Sequence, residues 1–291
     1  MFLIVGGDSE IGAAAYRAIR ELGLPVAATT RRRDRVGFER PFLDLSEALD
    51  DWAVPPGTKA ACVCAAIARM TACAADPAGT ANINVDRTLT LIDKLTARGI
   101  YVLFLSTNQV FDGCTAQVPA DAPYSPVSEY GRQKSRTETA LRERMARNMP
   151  IAILRLAKVL SPRMPLLEHW VADLLASKPI SAFSDMVLAP TPTDLVCLAI
   201  RDLMKDRAGG TFQLTGPRDV AYAEVARFLA AQLGAPNSLV KETSARSAGL
   251  PEGATPLHTT LNSSLIRERY SLEAPDVWEV VQTVLGTTLS A

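Results

Sequence analysis

The chain has 291 residues, of which 48% are hydrophobic and 21% charged, and its 31 basic side chains balance 31 acidic ones. This composition is ordinary for a globular protein with a sizeable core, and the absence of net charge gives no overall field that would favour nucleic acid or an anionic membrane surface. No apolar stretch approaches the roughly 20 residues needed to cross a bilayer. The five cysteines have no recurring spacing, which is typical of reduced thiols in the cytosol and not of a disulfide framework or structural zinc site. We therefore expect a cytoplasmic protein without a secretory leader and without nucleic-acid, membrane or metal partners.

In chain order, apolar strands alternate with helices. The predicted strands are 2–5, 25–29, 59–66, 100–105 and 151–156, and the predicted helices are 13–22, 84–98 and about 128–147. Continuous apolar strands separated by helices predict an α/β fold, a Rossmann-type doubly wound parallel sheet covered on both faces.

After about residue 160 this rhythm loosens and prolines become frequent. We predict an NADP-binding Rossmann domain over 1–160, with a return segment near 187–215, and a smaller C-terminal lobe over 161–291 that mainly binds substrate. Such a lobe would lie over the carboxyl ends of the strands, where open α/β sheets bind ligands. The stretch 279–289 is predicted to be an amphipathic helix that packs either on the lobe or on a second subunit. The second arrangement would form a homodimer.

The turn GGDSEIG follows the first strand. Glycines at a strand-to-helix turn let a pyrophosphate approach the backbone N–H groups of the helix N-terminus. Gly6 and Gly12 keep these roles, whereas Ser9 or Glu10 replaces the middle glycine; a serine there is expected to offer its hydroxyl and N–H to phosphate. Alone, the motif is also compatible with a turn that binds nothing. The residues expected to contact a dinucleotide here are Gly6, Asp8, Ser9, Glu10, Ile11 and Gly12.

The end of the second strand reads TTRRR, where an NAD site would have an acidic residue for the ribose hydroxyls. Clustered arginines suit a 2′-phosphate through bidentate, charge-assisted hydrogen bonds. The alternative is that these arginines belong to a solvated basic loop, and we expect this to hold for one of the three. Glycine turn and arginines together favour NADP(H) over NAD, with contacts expected from Thr30, Arg31, Arg32, Asp44, Leu45, Ala65 and Ala66.

Tyr130 and Lys134 are four residues apart at the start of a predicted helix and therefore share a face. A tyrosine is a poor acid–base catalyst at neutral pH unless a cation favours its ionised form, and Lys134 is expected to supply that charge and to contact a cofactor ribose. Thr107, at the end of a neighbouring strand, is placed to hold a substrate carbonyl toward Tyr130. On its own the tyrosine–lysine pair is also compatible with an exposed helix face.

Together these motifs resemble the extended short-chain dehydrogenase/reductase family, most closely its dTDP-4-dehydrorhamnose reductase branch. The residues that carry the resemblance are GGDSEIG (6–12), STNQVFDG (106–113), YGRQK (130–134) and ILRLAKV (153–159). The resemblance implies catalytic roles for Thr107, Tyr130 and Lys134. It covers roughly the first 160 residues, and Asn108-Gln109 replaces the family's usual Asp-Tyr.

Asn108 and Gln109 stand directly after Thr107, where a dehydratase of this fold would need an acid and a base. Neither side chain exchanges protons at neutral pH, which disfavours dehydration. The arginines favour a dissociable NADPH, so we predict reduction of a 4-keto group on a nucleotide-activated deoxysugar. The alternatives are an epimerase of the same fold and a non-catalytic NADP-binding regulatory subunit. Substrate contacts are expected from Asn108, Lys158 and Arg163, with His169, Trp170 and Arg218 as further candidates for a nucleotide diphosphate.

Overall fold

The computed structural model describes residues 1–161, 164–250, 253 and 255–290. Its strands are β1 (Phe2–Val5), β2 (Val26–Ala28), β3 (Ala60–Val63), β4 (Tyr101–Thr107), β5 (Ile151–Leu156), β6 (Val159–Leu160), β7 (Ile180–Phe183), β8 (Val187–Leu188), β9 (Thr191–Pro192), β10 (Gly210–Leu214), β11 (Val220–Ala221) and β12 (Val240–Thr243). Its α-helices are α1 (Glu10–Glu21), α2 (Met70–Ala75), α3 (Pro77–Ala81), α4 (Thr88–Thr96), α5 (Glu129–Ala146), α6 (Pro165–Leu175), α7 (Thr193–Asp206), α8 (Tyr222–Gln232), α9 (Ser264–Tyr270) and α10 (Val277–Ser290). A π-helical segment, Asn82–Arg87, joins α3 to α4.

The central sheet has six strands in the order β2-β1-β3-β4-β5-β10. All neighbouring strands are parallel, so their carboxyl ends meet at one edge. The chain leaving β1 returns to β2 on one side, whereas β3 leads to β4 on the other, so the strand order reverses between β1 and β3. Open α/β sheets bind ligands in the crevice at such a reversal. The predicted doubly wound α/β fold is confirmed.

Helices bury both faces of this sheet. On one face α1 and α7 pack around Ile4, Leu103 and Leu154. On the other, α4 and α5 pack around Val5 and Phe104. Because both faces are covered, nearly every strand position is apolar, which is why the strands could be recognised from the sequence.

A second, smaller core lies in the later part of the chain. It is built from α6, α8 and α10 and contains Trp170, Leu229 and Val281. The return segment belongs elsewhere, since α7 packs on the main sheet and β10 pairs in register with β5. The two cores therefore alternate along the second half of the chain. Among the described helices, none is both long enough and apolar enough to cross a membrane.

Two predicted helices have different bounds in the structure. The helix predicted at 13–22 begins at Glu10, because the Ser9 hydroxyl caps it by accepting from the N–H of Gly12. The helix predicted at 84–98 is the end of a longer helical run that starts at Met70 and is interrupted at Asp76. Small residues and Pro77 in this run obscured the helical periodicity.

Candidate active site

The glycine turn between β1 and α1 brings three backbone segments together. Gly6 has a φ of +88°, and a Cβ there would lie 2.7 Å from the backbone nitrogen of Ala65. A Cβ on Gly12 would overlap the carbonyl oxygen of Gly6. Only glycines therefore allow α1 to start this close to the ends of β1 and β3, with its N-terminus at the strand-order reversal.

Ser9, at the place of the middle glycine, is the N-cap of α1. Its hydroxyl donates to the carbonyl of Gly6 (2.7 Å) and accepts from the N–H of Gly12 (3.1 Å). This differs from the expectation that the hydroxyl is offered to a phosphate, since the turn itself uses it. The donors left at the helix end are the N–H groups of Glu10 and Ile11, which have no backbone partner within the described ranges.

A groove of about 360 Å³ follows the ends of β1, β2 and β3. It brings together eight residues expected to contact a dinucleotide: Gly6, Asp8, Ser9, Arg31, Asp44, Leu45, Ala65 and Ala66. The other expected contacts do not line it: Glu10, Ile11, Gly12, Thr30, Arg32, Tyr130 and Lys134. Sequence reasoning missed the continuation of the lining through Ile67, Ala68 and Arg69, although these residues follow β3 as directly as Ala65 and Ala66 do.

Asp8 and Arg31 define the charge at one end of this groove. The Asp8 carboxylate accepts from the Thr30 hydroxyl (2.9 Å) and from the N–H of Arg31 (2.9 Å). Burial raises the pKa of Asp8, but these two hydrogen bonds and the charges of Arg32 and Arg40 outweigh it and hold the pKa below its usual value. The carboxylate is therefore charged at neutral pH.

The three consecutive arginines have different surroundings. Arg33 pairs with Glu47 at 2.8 Å, and its guanidinium lies over the ring of Phe42. Arg31 lines the groove and takes part in no ion pair of the described residues. A groove that runs beside the N-terminus of α1, with room next to its glycines and a guanidinium that has no ion-pair partner among the described residues, fits a phosphorylated dinucleotide.

The start of α5 is tied to the end of β4. Ser128 caps α5 by accepting from the N–H of Gly131 (3.0 Å), and its hydroxyl donates to Oε1 of Gln109 (2.8 Å). A Cβ on Gly131 would overlap the carbonyl oxygen of Gln109, so the helix approaches this closely only with glycine here. These contacts place Tyr130 beside the segment that follows Thr107.

Tyr130 is buried, with 9% of its surface exposed. Burial, with a smaller effect from the Cys73 thiol, raises the pKa of Tyr130 well above its ordinary value of 10.0. The expected lowering of this pKa by Lys134 is therefore not what the structure shows, because burial dominates. The phenol is protonated at neutral pH and can act as a proton donor.

Lys134 is 3% exposed and its ammonium is held in the interior. Nζ donates to the carbonyl of Leu105 (2.7 Å) and lies 4.2 Å from the centre of the Phe104 ring and 5.9 Å from that of Tyr130. Burial lowers the pKa of Lys134 to about 8, against the opposing effect of Glu138. The ammonium is retained at neutral pH and lost under mildly alkaline conditions.

A cleft of about 170 Å³ adjoins Thr107. The Thr107 hydroxyl donates to Oδ1 of Asn108 (3.3 Å) and accepts from the N–H of Gln109 (3.2 Å). Met70 lines this cleft and Arg69 lines the groove, so the two cavities are neighbours. The lobe supplies further lining residues that no sequence signal indicated: Met186, Val187, Leu188, Tyr222 and Thr259.

Of the expected distal contacts, Lys158 lines the cleft, where burial lowers its pKa against the opposing charge of Glu10. Arg163 lies outside the described residues. Arg218 forms two hydrogen bonds to Asp276 (2.9 and 3.1 Å), so its charge is already paired.

The two remaining candidates are also placed away from the cleft lining. Trp170 is buried in the lobe core, and the exposed ring of His169 lies against the carbonyl of Pro165. Neither one lines the cleft, so the predicted nucleotide contacts from these side chains are not supported by the geometry.

Asn84, in the π-helical segment, connects the groove to α5. Its Oδ1 accepts from the N–H of Ile67 (2.8 Å), and its Nδ2 donates to the carbonyl of Ile67 (2.9 Å) and to Oε1 of Gln133 (2.7 Å). Gln133 lies between Tyr130 and Lys134 on α5. Sequence reasoning missed this residue, because a buried asparagine with partners far along the chain has no local signature.

We looked for a metal-binding site in the part of the chain that the structure describes. No three His, Cys, Asp or Glu side chains come together there in an arrangement that could hold a metal ion.

Three known proteins illustrate what this chain is similar to. The probable low-salt glycan biosynthesis reductase of Haloferax volcanii is 24% identical over 288 residues, covering 94% of this chain and 93% of its own. Methionine adenosyltransferase 2 subunit beta of Rattus norvegicus is 26% identical over 247 residues, covering 81% and 73%. The crystal structure of dTDP-4-dehydrorhamnose reductase from Bacillus anthracis in complex with NADP has a TM-score of 0.79 at 14% identity, covering 100% and 98%.

A family model also matches this chain. The family model described as the RmlD substrate binding domain matches residues 1–289, which is nearly the whole length and includes the glycine turn, the start of α5 and the lobe. This chain belongs to the RmlD substrate binding domain family.

Proposed function

We propose that this protein catalyses the NADPH-dependent reduction of a 4-keto group on a nucleotide-activated deoxysugar. One observation carries the proposal: a buried, protonated Tyr130 lies one helical turn from the Lys134 ammonium at the start of α5, and Ser128 ties that helix start to the segment after Thr107, which lines the cleft. The Haloferax relative is named a reductase, and the Bacillus anthracis structure holds NADP. Both support reduction with this cofactor.

In this proposal the groove holds NADP. The N–H groups at the start of α1 would hold the pyrophosphate, Arg31 would pair with the 2′-phosphate, and Asp44, Leu45, Ala65 and Ala66 would lie against the adenosine. When bound, NADPH supplies a hydride equivalent to the substrate carbonyl carbon. The predicted division into an NADP-binding part over 1–160 and a mainly substrate-binding part over 161–291 follows from the same assignment.

The chain's own residues then complete the reduction. The Thr107 hydroxyl donates a hydrogen bond to the carbonyl oxygen, and Tyr130 transfers its phenolic proton to that oxygen as negative charge develops there. Lys134 stabilises the phenolate that remains, because an ammonium favours the ionised form of a neighbouring phenol. Asn108 and Lys158 are proposed to contact the sugar or its diphosphate in the cleft.

Substitution of Tyr130 by phenylalanine tests the assignment. The variant removes only the hydroxyl, so we expect turnover to fall by about 10²–10⁴-fold, the usual contribution of a positioned proton donor, while the dissociation constant of NADPH stays nearly the same. The measurement is NADPH oxidation against a panel of nucleotide 4-ketosugars. Tyr270→Phe, which alters a hydroxyl bonded to Asp206 on the protein surface, serves as the matched control. Unaltered activity in Tyr130→Phe would refute the role.

The second candidate is a non-catalytic NADP-binding subunit. It is favoured by one observation, the similarity to a protein named as a subunit of methionine adenosyltransferase. A binding module has no physical need for a proton donor, a buried ammonium and a hydroxyl gathered in one place. The two candidates separate in the same assay: NADPH binding with no turnover on any ketosugar of the panel would support the subunit.

A further inference from the structure

Glu138 lies four residues beyond Lys134 on α5, so the two side chains leave the same face of the helix. Both are buried: Glu138 is 0% exposed and Lys134 is 3% exposed. Charges in a protein interior interact more strongly, and over a longer distance, than charges in water. The carboxylate and the ammonium therefore influence each other although no direct ion pair joins them in the described structure.

The Glu138 carboxylate is held in place by other buried groups. Arg155 donates to it from Nη2 (2.6 Å) and from Nε (3.1 Å to each oxygen), and the Tyr124 hydroxyl donates to it at 2.9 Å. Arg155 also donates to Oε1 of Gln213 and to the carbonyl of Ala120, both at 3.0 Å. With its oxygens bonded on several sides, the carboxylate cannot turn away from its position.

The groups facing Lys134 come from several elements. β4 presents the Phe104 ring and the Leu105 carbonyl, and α5 presents the Tyr130 phenol. Two cysteine thiols, Cys64 after β3 and Cys73 on α2, also act on the Lys134 charge. Burial raises the pKa of the Cys73 thiol and of the Tyr130 phenol, which keeps both neutral at physiological pH. Among the described residues, the acidic carboxylate that opposes the burial of Lys134 belongs to Glu138.

We propose that Glu138 is a positioning residue that acts through Lys134: its carboxylate, on the same face of α5 and fixed by Arg155 and Tyr124, keeps the buried ammonium charged. Its effect on turnover rests on the proposed function, whereas the charge on Lys134 can be measured without any substrate. The alternative is that Glu138 serves only as the counterion of Arg155.

The charge on Lys134 can be followed directly, because the chain has only seven lysines. In protein made with isotope-labelled lysine, the NMR signal of the Lys134 side chain is assigned by its loss in Lys134→Met and titrated from neutral to alkaline pH. In Glu138→Gln we expect the titration midpoint to fall by about one pH unit or more, since a nearby negative charge stabilises the ammonium. Glu143→Gln, an exposed acid on the same helix, should leave it unchanged. An unchanged midpoint in Glu138→Gln overturns the proposal.

A second variant guards against loss of folding, because Glu138→Gln alone leaves the Arg155 guanidinium buried without its partner. The double variant Glu138→Gln/Arg155→Met removes both charges and keeps a neutral side chain at each position. A smaller fall of the Lys134 midpoint in this variant supports the proposal. A midpoint equal to that of the unmodified protein shows that Glu138 acts only as the counterion of Arg155 and refutes it.

Measuring the reductase rate as well as the NMR midpoint distinguishes a failure of this inference from a failure of the proposed function. If both hold, the alkaline limit of the reductase rate moves to lower pH in Glu138→Gln by the same amount as the NMR midpoint. A shifted NMR midpoint together with no ketosugar reduction by the unmodified protein supports the positioning role and contradicts the proposed function. An unshifted midpoint with normal reduction contradicts the positioning role alone.

Discussion

Replacing Lys134 by methionine should make the cofactor-free protein more stable while it abolishes turnover. Burial lowers the pKa of Lys134 from 10.5 to about 8. At about 1.4 kcal/mol per pKa unit, that difference means that the folded state holds the ammonium at a cost of about 3 kcal/mol at neutral pH. Methionine has a similar length and no charge, but it leaves the Leu105 carbonyl without its donor, which costs about 1 kcal/mol. The net expected gain is about 2 kcal/mol.

The pH dependence of this gain has a definite sign. Below the folded pKa of about 8, both the folded and the unfolded states hold the proton, and the full cost of burying the charge is present. Between about 8 and 10.5 only the unfolded state keeps the proton, so the original protein becomes more stable as pH rises. The advantage of Lys134→Met should therefore shrink by about 2 kcal/mol between about pH 8 and about pH 9.5.

Urea denaturation of the cofactor-free protein, followed by circular dichroism at several pH values, measures these differences. Lys178→Met, which replaces an exposed lysine, is the matched control and should change the free energy of unfolding little at any pH. A Lys134→Met variant that is no more stable than the original at neutral pH would refute the reasoning, because it would mean that the buried ammonium imposes no cost.

Two further substitutions test the groove. Arg31→Ala should raise the KM for NADPH by about 10-fold or more, the loss expected for a hydrogen bond between charged groups, with little change in the KM for NADH; equal effects on the two cofactors in steady-state kinetics would contradict the assignment of Arg31. Ser9→Ala should remove the N-cap of α1 and destabilise the fold by about 1 kcal/mol, seen by calorimetry as a melting temperature lower by about 2–4 °C; an unchanged melting temperature would show that the cap contributes nothing.

The sequence was sufficient for features that depend on short spacings. The apolar strands were recognisable because both faces of the sheet are covered, and 2–5 and 151–156 coincide with β1 and β5. The glycine turn is equally local, because a positive φ and a close backbone approach at Gly6 admit no other residue. Tyr130 and Lys134 share a face simply because they lie four residues apart on a helix.

The tertiary structure decided what depends on contacts between distant parts of the chain. It determined that the Ser9 hydroxyl is used by the turn, that Arg31 and not Arg32 lines the groove, and that burial raises the pKa of Tyr130. The lobe's contribution to the cleft and the contact between Glu138 and Arg155 likewise join residues that no periodicity relates. The physical reason is that local spacing sets backbone conformation, whereas desolvation and the distances between charges exist only once distant segments have packed together.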